Sequence, residues 1–354
     1  MLGSDSGMAL LITLTVIALL IVVSLELNRQ ARNTVYAAAA TRDRFALSQI
    51  LISGMHAAMA LLAEDRRQSP IDSLQEDWAD PEKVAALVQA LNFEEAELQL
   101  QITDERSRIQ VNALVRFPDG RDFDVYQPNL WRRFLTGALL AQEETEVSDP
   151  VNTIVNSLKD WLDSGDDDAV TGLTGAESDY YLDLEPPYAA RNGPLPHIAE
   201  LLQVKGVTPE LFYGSEEVPG ISEFLTVFGM TAGSDNGATF DGQININTAE
   251  LPVLSAMLAE TDAELATAIE AYRLEKKGDV FANDLSNAQW YQNVPGAGDV
   301  RIDEALITVR SDFFRISAVA ALQEMSMALT AVVRREINPQ TGQIHCRILS
   351  LELQ

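Results

Sequence analysis

Cysteine is nearly absent from this 354-residue chain: Cys346 stands alone, so no disulfide can staple the fold from within, and the redox compartment stays open. Histidine is as sparse, and His56, His197 and His345 lie too far apart in sequence to suggest a zinc site. Positive charge is short as well. With 25 basic against 53 acidic residues the net charge is −28, a field that opposes nucleic-acid phosphate and anionic lipid and favours calcium or a basic partner surface. The sequence has no Gly-x-Ser-x-Gly, Walker or His-Glu-x-x-His motif, so no catalytic constellation stands out. Two local absences are equally informative: residues 8–25 carry no charge, and no proline precedes Pro70.

What fills the uncharged stretch is apolar. As a helix its eighteen residues reach about 27 Å, just enough to cross a bilayer. The leader, residues 1–7, lacks Lys and Arg and contains Asp5, and the small-residue run 37–40 lies too far downstream for ordinary signal-peptide cleavage. Beyond Leu25 the helical pattern continues through Leu47, Leu51, Met55, Ala58 and Leu62, stepping by three or four. The spacing predicts one helix of about sixty residues, its first third in lipid and its remainder docking through a Leu/Met stripe.

After a linker and a short helix over residues 81–91, Leu98, Leu100 and Ile102 alternate with polar residues. Residues 104–107 offer a turn, and Ile109, Val111 and Ala113 alternate again, which predicts a hairpin. Residues 313–321, 325–333 and 343–351 read as three more strands. Between about 114 and 307 the pattern changes to short helices, acidic loops and proline turns. A helical insertion dividing a small sheet explains that order.

Within the insertion, Asp163, Asp166, Asp167, Asp168, Glu177 and Asp179 place six carboxylates in 17 loop-like residues with three glycines. A hard divalent cation relieves their repulsion, and calcium tolerates irregular loops, although the spacing is not an EF-hand. A solvated acidic loop is the other reading. Residues 195–211 read as a helical hairpin turning at Lys205-Gly-Val, with Thr208 as N-cap and Pro209 at the first helical position. The Asn-Ile-Asn-Thr-Ala stretch at 245–249 leads into a helix, and Thr261-Asp-Ala-Glu reads as a capping box. DNA-binding helix-hairpin-helix modules use similar stretches, but the charge opposes that use here. Trp131, Trp161 and Trp290 read as core residues.

A short leader ending in Gly7, followed by an apolar helix that becomes amphipathic, resembles the type IV pilin class. The resemblance implies cleavage by prepilin peptidase between Gly7 and Met8 and N-methylation of Met8. Pilins usually carry glutamate at the fifth mature position, where this sequence has Ile12; a filament-tip subunit and a plain signal anchor both accommodate that. Asp104 to Leu114, the Asp-Trp-Leu-Asp stretch at 160–163, Gly-Ala-Glu at 175–177, Tyr180-Tyr181, the 245–249 stretch and Ser311-Asp-Phe-Phe-Arg-Ile occur in an order similar to the K-type minor pseudopilins of the type II secretion system.

That resemblance implies an α+β fold, with a long helix on a small antiparallel sheet and a mainly helical domain inserted between strands. The implied divisions are leader 1–7, membrane or filament-core helix 8–29, amphipathic helix and first strands 30–113, insertion 114–307, and final strands 308–354. It also implies a non-enzymatic subunit in the bacterial inner membrane with a periplasmic body. Its implied partners are I- and J-type minor pseudopilins, the major pseudopilin and prepilin peptidase, with no nucleic acid. Structural calcium is expected at Asp163, Asp166, Asp168, Glu177 and Asp179. The competing functions are a membrane-anchored helix-hairpin-helix DNA-binding or uptake protein and an anchored periplasmic metal-dependent hydrolase.

Overall fold

The computed structural model describes residues 5–94, 96–141, 149–165, 170–232 and 237–354. Helix α1 (Asp5–Gln68) runs unbroken for 64 residues, or about 96 Å at 1.5 Å per residue. With no proline to remove a backbone donor, nothing in its sequence forces a break. Among the described residues nothing covers its apolar N-terminal part: Met8 is 63% and Ile12 57% exposed, and the most apolar 18-residue window of the helix has mean hydropathy 2.9 with none of it buried. An apolar face of that size is stable only in lipid or against other protein.

The C-terminal half of α1 packs on an antiparallel sheet of β1 (Glu97–Asp104), β2 (Phe313–Leu322), β3 (Met325–Ile337) and β4 (Ile344–Leu353), in that spatial order. The predicted stripe Leu47, Leu51, Met55, Ala58 and Leu62 meets Leu98 and Ile102 of β1, Phe314, Ile316, Ala318 and Ala320 of β2, and Leu329, Ala331 and Val333 of β3. These strand residues alternate, as the two-residue period of a pleated sheet requires. Helix and sheet approach closely at Gly54, where an added Cβ would lie 2.8 Å from Leu98 Cδ2. Helix α2 (Pro81–Ala90) is capped by Asp80, whose carboxylate accepts from the Glu82 and Lys83 amides.

β1 pairs with β2 from Glu97↔Ala321 to Asp104↔Phe314, so about two hundred residues separate partners that touch. The expected 98–113 hairpin does not form. Asp104 instead caps a 3₁₀ turn at Glu105–Ser107, accepting from the Arg106 amide, and Ile109–Gln110 pairs in parallel with Leu225–Thr226. The alternation misled because residues 109–115 are buried on every side, whereas a hairpin strand exposes every second residue. They belong to the inserted body rather than to the sheet.

That body has its own core, in which Trp131, Trp161, Trp290, Tyr181 and Tyr291 are each 0–1% exposed. Helices α3 (Gln127–Ala141), α4 (Pro150–Leu162), α5 (Ser178–Leu182), α6 (Pro209–Tyr213), α7 (Leu251–Met257) and α8 (Ala266–Leu274) surround it. Thr208 caps α6 as expected, its hydroxyl accepting from the Leu211 amide at 3.1 Å. The Thr261 capping box does not form: residues Glu260–Leu265 are a 3₁₀ turn whose N-cap is Ala259, and the Thr261 hydroxyl turns to Asp262.

Candidate functional site

Helix α4 sets the geometry of the acidic region. Its apolar side is fixed by Ile154, Val155, Leu158, Trp161 and Leu162, and the same side carries Asp160 inward, one turn from the C-terminus. Asp163, three residues on, is the C-cap. Both carboxylates therefore face the same loop, as i and i+3 positions do. Asp160 accepts from the Thr171 amide at 3.1 Å and the Ala176 amide at 2.9 Å, while Asp163 accepts from the Gly165 amide at 3.1 Å. A Cβ on Gly175 would collide with the Asp160 carboxylate, so glycine is what lets the loop close over it.

Glu177, also buried, completes a trio: Asp160, Asp163 and Glu177 offer carboxylate oxygens that all lie within 4.8 Å of one another. The loop is held from behind. Tyr181 packs edge-on to Trp161 at 4.9 Å, its hydroxyl accepts from the Lys205 amide, and the Lys205 ammonium donates to the carbonyls of Thr174 and Gly175 at 3.2 Å. Burial pushes the Asp163 carboxyl up, opposed by Lys159 and the Gly165 amide. Lys159 pairs with Asp163 and stands 4.0 Å from Asp160. The ammonium thus faces two of the three buried carboxylates, and an all-carboxylate set suits a hard divalent cation with oxygen ligands better than zinc.

Of the residues expected to hold calcium, Asp163 and Glu177 come together here. Asp179 is exposed on α5 and is not part of the trio, while Asp166, Asp167 and Asp168 lie outside the described residues. Asp160 was missing from the expected ligand set because it reads as an ordinary member of an amphipathic helix. The usable signal was its i, i+3 spacing to Asp163 among residues destined for the core.

A second carboxylate cluster, Asp65, Asp72 and Glu76, lies where α1 ends. Its cation is already present. Arg335 of β3, 2% exposed, donates to Asp65 at 3.0 Å, to Asp72, and to the carbonyls of Leu62 and Ser311 at 3.1 and 2.8 Å. Glu76 accepts from the Ser73 amide and the Trp78 indole.

The Asn-Ile-Asn-Thr-Ala stretch is buried beside that cluster. Asn245 donates to the Asp104 carboxylate at 2.7 Å and to the Asp72 carbonyl at 2.9 Å; Thr248 donates to Asp104 at 2.7 Å. Asn247 accepts from the Trp290 indole at 2.7 Å. These side chains join the inserted body to the sheet and have no face left for phosphate. Burial pushes the Asp104 carboxyl up to about 6, against the donors around it.

Residues 107–214 match the family model described as type II secretion system protein K. Type II secretion system protein K of Klebsiella pneumoniae is 25% identical over 272 residues, 76% of this chain and 73% of that protein. The protein of the same name from Pseudomonas aeruginosa is 28% identical over 273 residues, 75% of this chain and 72% of that one. In fold, the chain resembles a chain of the GspK-GspI-GspJ complex of the enterotoxigenic Escherichia coli type 2 secretion system, with TM-score 0.59 at 18% identity, covering 89% of this chain and 99% of that one.

Proposed function

We propose that this chain, which belongs to the type II secretion system protein K family, is the minor pseudopilin at the tip of the secretion system's short filament, assembled there with I- and J-type pseudopilins. The observation that carries the reading is the pairing of two features in one chain: an exposed apolar helix fit for a filament core, and a body of about two hundred residues spliced between the first two strands of the sheet that the helix carries. A body of that bulk beside the sheet leaves a growing filament room on one side only. The role requires packing and no bond chemistry, so the chain acts as a non-enzymatic subunit.

In this reading residues 8–29 anchor the chain once in the bacterial inner membrane and the acidic body stands in the periplasm. Prepilin peptidase cuts after Gly7, and Met8 becomes the N-methylated first residue. Ile12 then occupies the fifth mature position. An apolar residue there needs no buried partner charge, which suits a subunit with no neighbour above it. The major pseudopilin follows below the tip. Asp160, Asp163 and Glu177 are the protein carboxylates that would hold calcium; bound there, the ion neutralises charge that Lys159 offsets only in part and pins the 170–177 loop to α4.

N-terminal sequencing of the membrane-extracted chain, made in a strain with active prepilin peptidase, tests the assignment. N-methylated Met8 is expected at the first cycle. An intact Met1 overturns the filament role while leaving the anchor in place.

A further inference from the structure

β1 is an edge strand: β2 pairs with one side of it, and among the described residues no backbone group bonds along the other side of residues 97–103. Residues 100–104 line a cavity of ≈ 520 Å³ whose other walls are the 74–84 segment, with the start of α2, and the inserted body. That size lies in the range of about 300–1,000 Å³ typical of ligand clefts. Its apolar walls come from Trp78, Val84 and Leu274, and its charged residues include Glu250, Glu270 and Arg273.

Arg273 is the unusual member. It is 2% exposed, its Nη1 donates to the Ile246 carbonyl at 3.1 Å, and its Nη2 stands 3.6 Å from Glu270, while its Nε finds no acceptor. A buried N–H without a partner costs free energy that a carbonyl oxygen brought by a ligand would recover. Open strand edges are natural templates for another strand unless something covers them. Here the inserted body and the 74–84 segment wall a cavity beside the edge, and no backbone of the described residues pairs with it.

We infer that this cleft receives an extended segment of a partner protein, added as a strand to the open edge of β1, with apolar side chains alternating with basic ones. The edge amides and carbonyls of residues 100–103 supply the backbone pairing, since the Asp104 carbonyl already accepts from the Ser107 hydroxyl, and Arg273 Nε donates to one carbonyl of the incoming strand. Leu274, 44% exposed, receives the apolar side chains above a floor closed by the buried Trp78 and Val84, and Glu250 and Glu270 face the basic ones. Charge selects this occupant. Three carboxyl residues, Asp104, Glu250 and Glu270, against one guanidinium leave the cleft negative, in a chain whose net charge of −28 repels an acidic segment before contact. The inference does not depend on the filament-tip assignment, since it uses only the edge, the cleft and its charges.

The test uses the detergent-solubilised full chain and a fluorescein-labelled, amidated peptide of four Lys-Val repeats. Binding is read by anisotropy, and hydrogen exchange locates the contact. Expected results are saturable binding, slowed exchange in residues 100–104, and affinity about tenfold weaker when one central valine becomes proline, which keeps the peptide's charge but removes an edge donor. Arg273→Met should weaken binding although it makes the chain more acidic; attraction to net charge alone predicts the reverse. Equal affinity for the proline peptide, unchanged exchange in residues 100–104, or no binding overturns the inference. The proline comparison needs no change to the protein and decides the matter even where Arg273→Met fails to fold.

Discussion

Replacing Arg335 by methionine should cost more stability at pH 8 than at pH 5. The substitution keeps an unbranched apolar stem over Phe314, whose ring lies 4.8 Å from the guanidinium, and removes the charge. Asp65 and Asp72 then lose their shared cation, and the Leu62 and Ser311 carbonyls lose a donor. Removing one partner of a buried pair costs about 3–5 kcal/mol, because the remaining charge is left uncompensated. The pH dependence follows from Asp72, which is 0% exposed. Burial already holds its carboxyl above the ordinary value of 3.8, against Arg335 and the Ser311 amide.

A carboxyl whose pKa is raised by folding keeps a proton that the unfolded chain has released. Stability therefore falls as pH climbs from the unfolded pKa to the folded one. Without Arg335 the folded value rises further and the window of loss extends upward, each added unit being worth about 1.4 kcal/mol above it. Urea unfolding at pH 5 and pH 8 measures the difference. Trp78, packed edge-on against Phe314 at 5.2 Å, is a fluorophore inside the affected core. Arg335→Met combined with Asp72→Asn should recover part of the loss at pH 8 and little at pH 5. A destabilisation that is equal at both pH values, or below about 1 kcal/mol at pH 8, would refute the reasoning.

Chelator should lower the unfolding temperature of the wild-type chain, and Asp160→Asn should abolish that sensitivity; calcium at a hundred times its Kd stabilises by about 2.7 kcal/mol. Lys159→Met should tighten calcium binding in calorimetry, because the ammonium that pairs with Asp163 competes with the ion; weaker binding would place the ion elsewhere. Thr248→Val removes a 2.7 Å donor from the buried Asp104 carboxylate and should cost about 1–3 kcal/mol. That loss should grow between pH 5 and pH 8, since the Asp104 carboxyl, at about 6 with the donor in place, ionises across that interval and needs the donor more once charged.

The long helix and the strands β2, β3 and β4 were legible because each is governed by neighbours in sequence. Leu47, Leu51, Met55, Ala58 and Leu62 fall on one face of α1 whatever lies opposite, and no proline interrupts them. Strand β1 was legible too, but its partner was not. Pairing of Glu97 with Ala321 depends on where the chain returns after two hundred residues, which local alternation does not encode. The false hairpin arose at Ile109, Val111 and Ala113 because a segment buried on all sides can mimic alternation when its polar members, Gln110 and Asn112, are themselves buried and bonded. Asp160 was missed for a related reason: a carboxylate among core positions reads as a helix residue until loop amides are seen to converge on it. The 245–249 stretch is similar to the entry of DNA-binding helix-hairpin-helix modules, a use that the charge opposed, but the sequence did not show what its side chains bond. What its donors meet are Asp72 and Asp104 of the same chain.

That placement ties the inserted body to the sheet by buried hydrogen bonds. Asp72 serves both sides at once: its carboxylate binds Arg335 of β3 and the Ser311 amide ahead of β2, while its carbonyl accepts from Asn245 and Asn247 of the inserted body. Asp104, the last residue before the chain leaves the sheet, is held by Asn245 and Thr248 from that same body. An apolar joint could slide, since contacts between hydrocarbon surfaces are non-directional. Hydrogen bonds to two buried carboxylates fix one register, because displacement of either partner strands a charge away from water. Asp72 and Arg335 thus couple α1 and the sheet to the inserted body through directional bonds, the kind of joint that the proposed place at the end of a filament calls for.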